Sequence, residues 1–171
     1  IASMTWIIGI GVLLVYSIFL YVKIFINIRT ATLVKDNIFE SDRITTPFVW
    51  GIIKPRIYIQ IGLSEDEITH VLAHEQIHIK RKDYIAKPLA FLILIAHWFN
   101  PIIWLSFILM NRDMEMSCDE SVIKQMGSSS KKSCSNSLLS LSVKRSGLLI
   151  SNHLAFGQSN IKSRIKNILN Y

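Results

Sequence analysis

His74-Glu75-Gln76-Ile77-His78 is the stretch on which the fold and chemistry of this chain turn. Residues four apart share one face of a helix, so a helix through this pentad offers the imidazoles of His74 and His78 to a single ion. Glu75 lies about 100° round the same helix, where it can reach a water activated by that ion without being a ligand. This is the pattern of a zinc peptidase site. Zinc lowers the pKa of a bound water to about 7, and Glu75 is the expected general base for its proton. Two neutral imidazoles and one carboxylate leave the ion partly positive, with one coordination position open.

The carboxylate has to come from a second element. Asn111, Glu115 and Asp119 are spaced i, i+4, i+8 and form a polar stripe on an otherwise apolar helix. Glu115 is the expected third ligand. Asp119 is expected behind it, accepting the far N–H of a ligating histidine and fixing its tautomer. Asn111 is expected to brace the site or the substrate backbone. Cys118 is the rival ligand, but a thiolate would quench Lewis acidity more than a carboxylate does, so it reads as a packed structural cysteine. His70 extends the histidine stripe by one turn. Three histidines at this spacing cannot all reach one tetrahedral ion from a straight helix, so its expected role is structural. Asp83 fits a charged helix terminus as well as it fits support of the site. His97 reads as a satisfied buried histidine, although a polar group at membrane depth also invites a functional reading.

At these residues the chain resembles the membrane-bound zinc peptidases of the BlaR/MecR type, bacterial sensor-transducers that respond to beta-lactams. The resemblance runs through Thr46-Pro47-Phe48-Val49-Trp50-Gly51 and Pro55-Arg56-Ile57-Tyr58-Ile59, then the stretch from His74 to Asp83. It continues in Trp98-Phe99-Asn100-Pro101, Arg112-Asp113-Met114-Glu115, Cys118-Asp119-Glu120, Ala155-Phe156-Gly157 and Ser159-Asn160-Ile161-Lys162. The resemblance implies a gluzincin-like fold, zinc, self-cleavage, and an output through loss of a transcriptional repressor.

Composition sets the surroundings. Half of the 171 residues are hydrophobic, which suits one compact domain plus one membrane segment. Residues 4–22 are nearly uncharged and long enough to cross a bilayer core of roughly 30 Å. Lys23 and Arg29 follow that stretch, and no charge precedes it. The positive-inside bias therefore puts the N-terminus outside and the remainder in the cytosol, and a signal peptide does not fit. A second apolar stretch, 88–110, cannot be a simple crossing, because His78 and Glu115 flank it and would be left on opposite sides of the bilayer. Asn100-Pro101 breaks it into halves of about 11 residues, each roughly 16 Å of helix. A hairpin of two short helices that dips into the membrane and returns is expected, with the metal site at the cytosolic lipid surface.

The net charge is +7, and no Asp or Glu follows Glu120. The basic remainder suits anionic headgroups or an acidic partner; no DNA-reading motif is evident, so no direct nucleic-acid partner is expected. Ile161, Ile165, Ile168 and Leu169 share a face, with Lys162 and Lys166 among the polar positions. That helix fits a cover for the protein core and an interfacial element equally. Cys118 and Cys134 make no disulfide framework and would stay reduced in the cytosol.

The expected fold class is mainly α with a small antiparallel β-hairpin or sheet. It is a gluzincin-like peptidase domain with an N-terminal transmembrane helix and a membrane-associated helical hairpin. Residues 1–28 are read as membrane helix and juxtamembrane segment, 29–145 as the peptidase domain, and 146–171 as an exposed loop and basic C-terminal helix. Within the domain, 23–42 reads as continuing helix and polar connector. Residues 43–49 and 56–60 read as the strands of the hairpin, one of them an edge that can hold an extended substrate. Ser64-Glu65-Asp66-Glu67 is a capping box that starts the pentad helix, which ends near Arg81-Lys82. The stripe helix is expected over 102–126, stopped by Gly127. Residues 128–133 read as a linker and 136–144 as helix. The Gly/Ser/Asn-rich 146–159 loop is the candidate for self-cleavage, at the bond between Ala155 and Phe156.

The function expected from these features is a membrane-anchored, cytosol-facing zinc endopeptidase that turns a signal into proteolysis, with its own chain and a repressor as substrates. A homo-oligomer stays open. The chain lacks a domain able to sense an extracellular ligand, so it reads as the transducer fragment of a longer receptor or as a relative with another stimulus. The alternatives are an HtpX-like quality-control peptidase and a metal-binding scaffold without proteolytic activity.

Overall fold

The computed structural model describes residues 2–127, 131–146 and 161–170. It is mainly helical, with one small sheet. Helix α1 (Ala2–Ile28) is followed by strands β1 (Thr32–Lys35), β2 (Ile38–Ser41), β3 (Phe48–Trp50) and β4 (Arg56–Gln60). Helices α2 (Glu65–Arg81), α3 (Asp83–Ala96), α4 (Pro101–Met126), α5 (Lys131–Ser146) and α6 (Ile161–Asn170) complete it.

The sheet corrects two expectations. Residues 32–41 are not a helical connector: β1 and β2 form an antiparallel hairpin around Asp36, whose φ is +46°. Apolar residues flanking Asp36-Asn37 are a legible hairpin signal, since Asp tolerates a left-handed turn position better than most side chains. The sheet is also mixed, with order β1-β2-β4-β3; β2 runs parallel to β4, and only β1/β2 and β3/β4 are antiparallel. Of the expected first strand, 43–49, only Phe48 and Val49 pair, in a β3 that runs on to Trp50 and lies at the sheet edge.

Central β4 is buried on both faces, as an interior strand should be. Ile57 and Ile59 join Val71 of α2 in one core. On the other face Tyr58 stacks between Phe39 and Phe48, with ring centroids 5.3 and 5.6 Å away. That aromatic ladder continues through Trp50 to Tyr21 of α1, at 4.7 Å. Helix α2 thus has the sheet on one side. On its other side Ile77 enters a second core with Cys118, Val122, Ile123, Cys134 and Ile168 from α4, α5 and α6. The last helix therefore covers the protein core through Ile168.

The apolar stretch folds as the expected hairpin, although α3 starts earlier, at Asp83. Pro101 opens α4 where its missing N–H costs nothing, and the Asn100 side chain accepts from the Ile102 amide at 2.9 Å. Helix α4 ends at Gly127, whose N–H reaches the carbonyl of Ile123. At the hairpin tip, the Trp6 indole donates to the carbonyl of Ala96 and the Trp98 indole to that of Trp6. A β-carbon on Gly9 would collide with the Trp98 ring, so glycine permits this close approach. Helix α1 is long and apolar enough to cross a membrane, and none of its apolar window is buried in the protein. Leu89, Leu92 and Ile93 of α3 and Ile102, Leu105, Ile108 and Leu109 of α4 are likewise exposed.

The capping box forms as expected. The Glu67 amide donates to Ser64 Oγ at 3.3 Å, and the Ser64 amide donates to Glu67 Oε2 at 2.9 Å. Glu67 Oε1 also accepts from Ser140 of α5 at 2.6 Å. Ser64→Ala removes one partner of this box and should cost about 1 kcal/mol. Thermal unfolding in detergent should then shift down by roughly 2–4 °C; an unchanged midpoint would mean that the cap contributes nothing.

Candidate metal centre

Helix α2 and the second arm of the hairpin, α4, lie side by side, and this brings the pentad to the stripe. On α2, one turn separates His74 from His78; on α4, Glu115 and Asp119 face them. The Nε2 atoms of the two histidines are 3.1 Å apart. Glu115 Oε2 lies 3.4 Å from His74 Nε2, and Glu115 Oε1 lies 3.5 Å from His78 Nε2. Ion–ligand bonds of about 2.0–2.2 Å in a tetrahedron space the ligand atoms about 3.4 Å apart. The three side chains therefore already stand at the mutual distances that one small divalent ion requires, and they form a group able to hold it.

Each imidazole is held from behind. His78 Nδ1 lies 2.7 Å from Asp83 Oδ2, and His74 Nδ1 lies 3.2 Å from Asp119 Oδ1. With a carboxylate accepting at Nδ1, the ring turns its Nε2 toward the ion position. Asp83, the first residue of α3, is almost completely buried at 3% exposure and supports the site as well as starting a helix. Its position five residues past His78 follows from the sharp turn at Lys82, which takes a left-handed φ of +60°.

The remaining expected residues fall into place unequally. Glu75 is buried and lines the same cleft, of about 1130 Å³, as His74, His78 and Glu115. Asn111 donates to the carbonyl of Phe107 at 2.8 Å, a bond within its own helix. Cys118 is fully buried, and its Sγ faces His78 Nδ1 at 3.4 Å, the side away from the Nε2 pair. Burial pushes its thiol up to about 12, so it is a protonated, packed cysteine. Geometrically His78 Nδ1, Asp83 and Cys118 form a second close group, but the first two are already joined by a hydrogen bond. His70 is buried one turn before His74. Ala155 and Phe156 lie outside the described residues.

Two cations were missed by sequence reasoning. Lys87 Nζ lies 2.9 Å from Glu115 Oε1. Arg164 of α6 lies 3.1 Å from Glu115 Oε2 and grips Asp119 with two bonds of 2.7 and 2.6 Å. The signals were present: Lys87 sits four residues after Asp83, and Arg164 shares the apolar face of Ile161, Ile165 and Ile168. These charges set the electrostatics of the site. Burial alone would raise the pKa of Glu115, but His74, His78 and Lys87 hold it far below the ordinary carboxylate range. Asp119 is depressed for the same kind of reason, with Arg164 and His74 overcoming burial. Burial pushes His74 down, yet its bonds to Asp119 and Glu115 prevail and lift it to about 9.

Two predictions follow from this geometry. Purified protein should bind about one divalent ion per chain, and Glu115→Ala should lose most of it; elemental analysis that finds equal metal in both would remove Glu115 from the centre. Because His74 carries a proton below about pH 9, an ion must displace that proton in order to bind. Apparent affinity should thus rise about tenfold per pH unit between neutrality and pH 9. Chelator competition across this range would expose a flat profile.

Comparison with known proteins gives the family. Residues 1–168 match the family described as BlaR1 peptidase M56. The chain is 31% identical over 138 residues to "Regulatory protein BlaR1" of Bacillus licheniformis, which covers 77% of this chain and 23% of that protein. It is 30% identical over 138 residues to "Methicillin resistance mecR1 protein" of Staphylococcus aureus, covering 77% of this chain and 24% of the relative. The matched region is thus about a quarter of the length of these relatives. The match over nearly the whole chain shows that it belongs to the BlaR1 peptidase M56 family.

Proposed function

We propose that this chain is the peptidase portion of a membrane-anchored zinc endopeptidase whose site faces the cytosol. It converts a signal into proteolysis by cutting its own chain and triggering inactivation of a transcriptional repressor in an antibiotic response. The observation that carries the reading is the convergence of two imidazole Nε2 atoms and a carboxylate, with each imidazole backed by a second carboxylate. The relatives, a regulatory protein and a methicillin-resistance protein by name, support the signalling part.

His74, His78 and Glu115 are the ligands in this reading. Zinc held there would supply a Lewis acid for the scissile carbonyl and for water. Glu75, buried at the cleft, takes a proton from the attacking water and delivers it to the amine nitrogen as the C–N bond breaks. Asp83 and Asp119 keep the imidazoles oriented throughout. The substrate binds extended along β3, which lies at the sheet edge and lines the cleft with Phe48, Val49 and Trp50. Main-chain hydrogen bonds to such an edge give affinity with little demand on side-chain sequence.

Lipid covers the exposed apolar residues of α1 and of the α3/α4 hairpin in this account. Lys23 and Arg29 then mark the cytosolic end of the span, which places the centre at the inner leaflet. The self-cleavage bond is that between Ala155 and Phe156, in the segment joining α5 to α6.

The test uses the purified chain in detergent with casein and with itself as substrates. Wild type should cut casein and yield fragments divided before Phe156, as read by mass spectrometry. Glu75→Gln should keep its metal yet lose at least about 10²-fold of turnover, and a chelator should stop both reactions. Undiminished cleavage by Glu75→Gln or in chelator rules out the peptidase reading. Bound metal without any cleavage by wild type leaves the scaffold reading, whereas casein cleavage without self-cleavage favours a quality-control peptidase.

A further inference from the structure

Helix α6 carries a guanidinium into the centre of the molecule. Arg164 is 9% exposed, and a charge so buried is tolerated only when it is fully paired. A long side chain on a ten-residue helix could otherwise run out to water, as such side chains usually do. Arg164 instead spends its donors on the two acids of α4 that face the histidines. Nε and Nη2 fork the two oxygens of Asp119 at 2.7 and 2.6 Å, and Nη1 reaches Glu115 Oε2 at 3.1 Å. Asp119 in turn faces His74 Nδ1 at 3.2 Å. A guanidinium fork fixes the plane of a carboxylate as well as its position, which an ammonium does not.

We propose that Arg164 is a positioning residue for the metal centre: by clamping Asp119 it fixes His74 with Nε2 toward the ion, so the centre is complete only with α6 in place. The proposal rests on the metal reading given above. The rest of α6 is held to α4 independently of the clamp. Ile168 is fully buried in the helical core, Asn167 donates to Glu120 Oε1 at 3.0 Å, and Arg112 donates to Ser163 Oγ at 3.0 Å. Removing the guanidinium therefore separates its action on Asp119 from the docking of the helix.

The experiment measures zinc affinity of the full chain in detergent by competition with a chromophoric chelator, with helix content followed by circular dichroism. Arg164→Ala should weaken zinc binding about 10- to 100-fold, the range seen when a partner behind a ligating histidine is lost. Asn167→Ala, which removes a different α6–α4 bond, should stay within about twofold of wild type. Arg164→Lys keeps the charge without the fork, should fall between wild type and Arg164→Ala, and carries the test if the alanine variant does not fold. In the background of Asp119→Ala, loss of Arg164 should cost less than it does in wild type, because its fork on that carboxylate is already gone and only its contact with Glu115 is left. Wild-type affinity in a folded Arg164→Ala or Arg164→Lys chain overturns the proposal alone, as do additive losses in the double variant. Failure of wild type to bind zinc overturns the metal reading and the proposal with it.

Discussion

Charge buried in a protein interior must be answered by opposite charge or hydrogen bonds at contact distance, and this constraint shapes the whole centre. His74, His78, Asp83, Glu115, Asp119 and Arg164 all lie within a small, largely water-excluded volume. None could be there alone. Each has at least one partner within 3.5 Å, and the partners come from α2, α3, α4 and α6. The network consequently holds four helices in register as a by-product of compensating its own charges. The apolar cores on either side of α2 add cohesion, but the polar network sets where the helices stop sliding.

The same network divides labour between the two faces of each imidazole. The Nδ1 face is structural: Asp83 and Asp119 hold it, and Cys118 packs against it on one side. The Nε2 face is left to Glu115 and the cleft. Exchanging these faces would need both rings to flip and both supporting carboxylates to lose their imidazole partners. That asymmetry puts Glu115 on the Nε2 face and Cys118 on the Nδ1 face, although both lie on α4 within one turn of each other.

What could be read from sequence was what helical periodicity encodes over short range. The pentad and the Glu115/Asp119 stripe needed only i, i+4 arithmetic, and the capping box at Ser64 fixed where α2 begins. The β1/β2 hairpin was missed because a polar connector was read through Asp36-Asn37, where alternating apolar strands flank a turn. The parallel pairing of β2 with β4 was not legible, since register between non-adjacent strands depends on packing against α2. Arg164 was missed for a different reason. Its residue type matched a basic tail read as a whole, and bulk composition hid one cation placed on an apolar helix face. Asp83 was ambiguous because a helix start and a buried hydrogen-bond acceptor call for the same side chain.

The return of the chain through the α3/α4 hairpin has a consequence for how the molecule is made. The imidazoles are synthesised well before Glu115 and Asp119, and Arg164 comes later still. A nascent polypeptide that has emerged only as far as α3 owns two histidines but no carboxylate from α4 to share an ion with them. On the proposed metal reading, capture of an ion would therefore be a late event in maturation, after the hairpin has seated and α6 has docked. On that reading, any agent that delays either step would keep newly made chains without the ion.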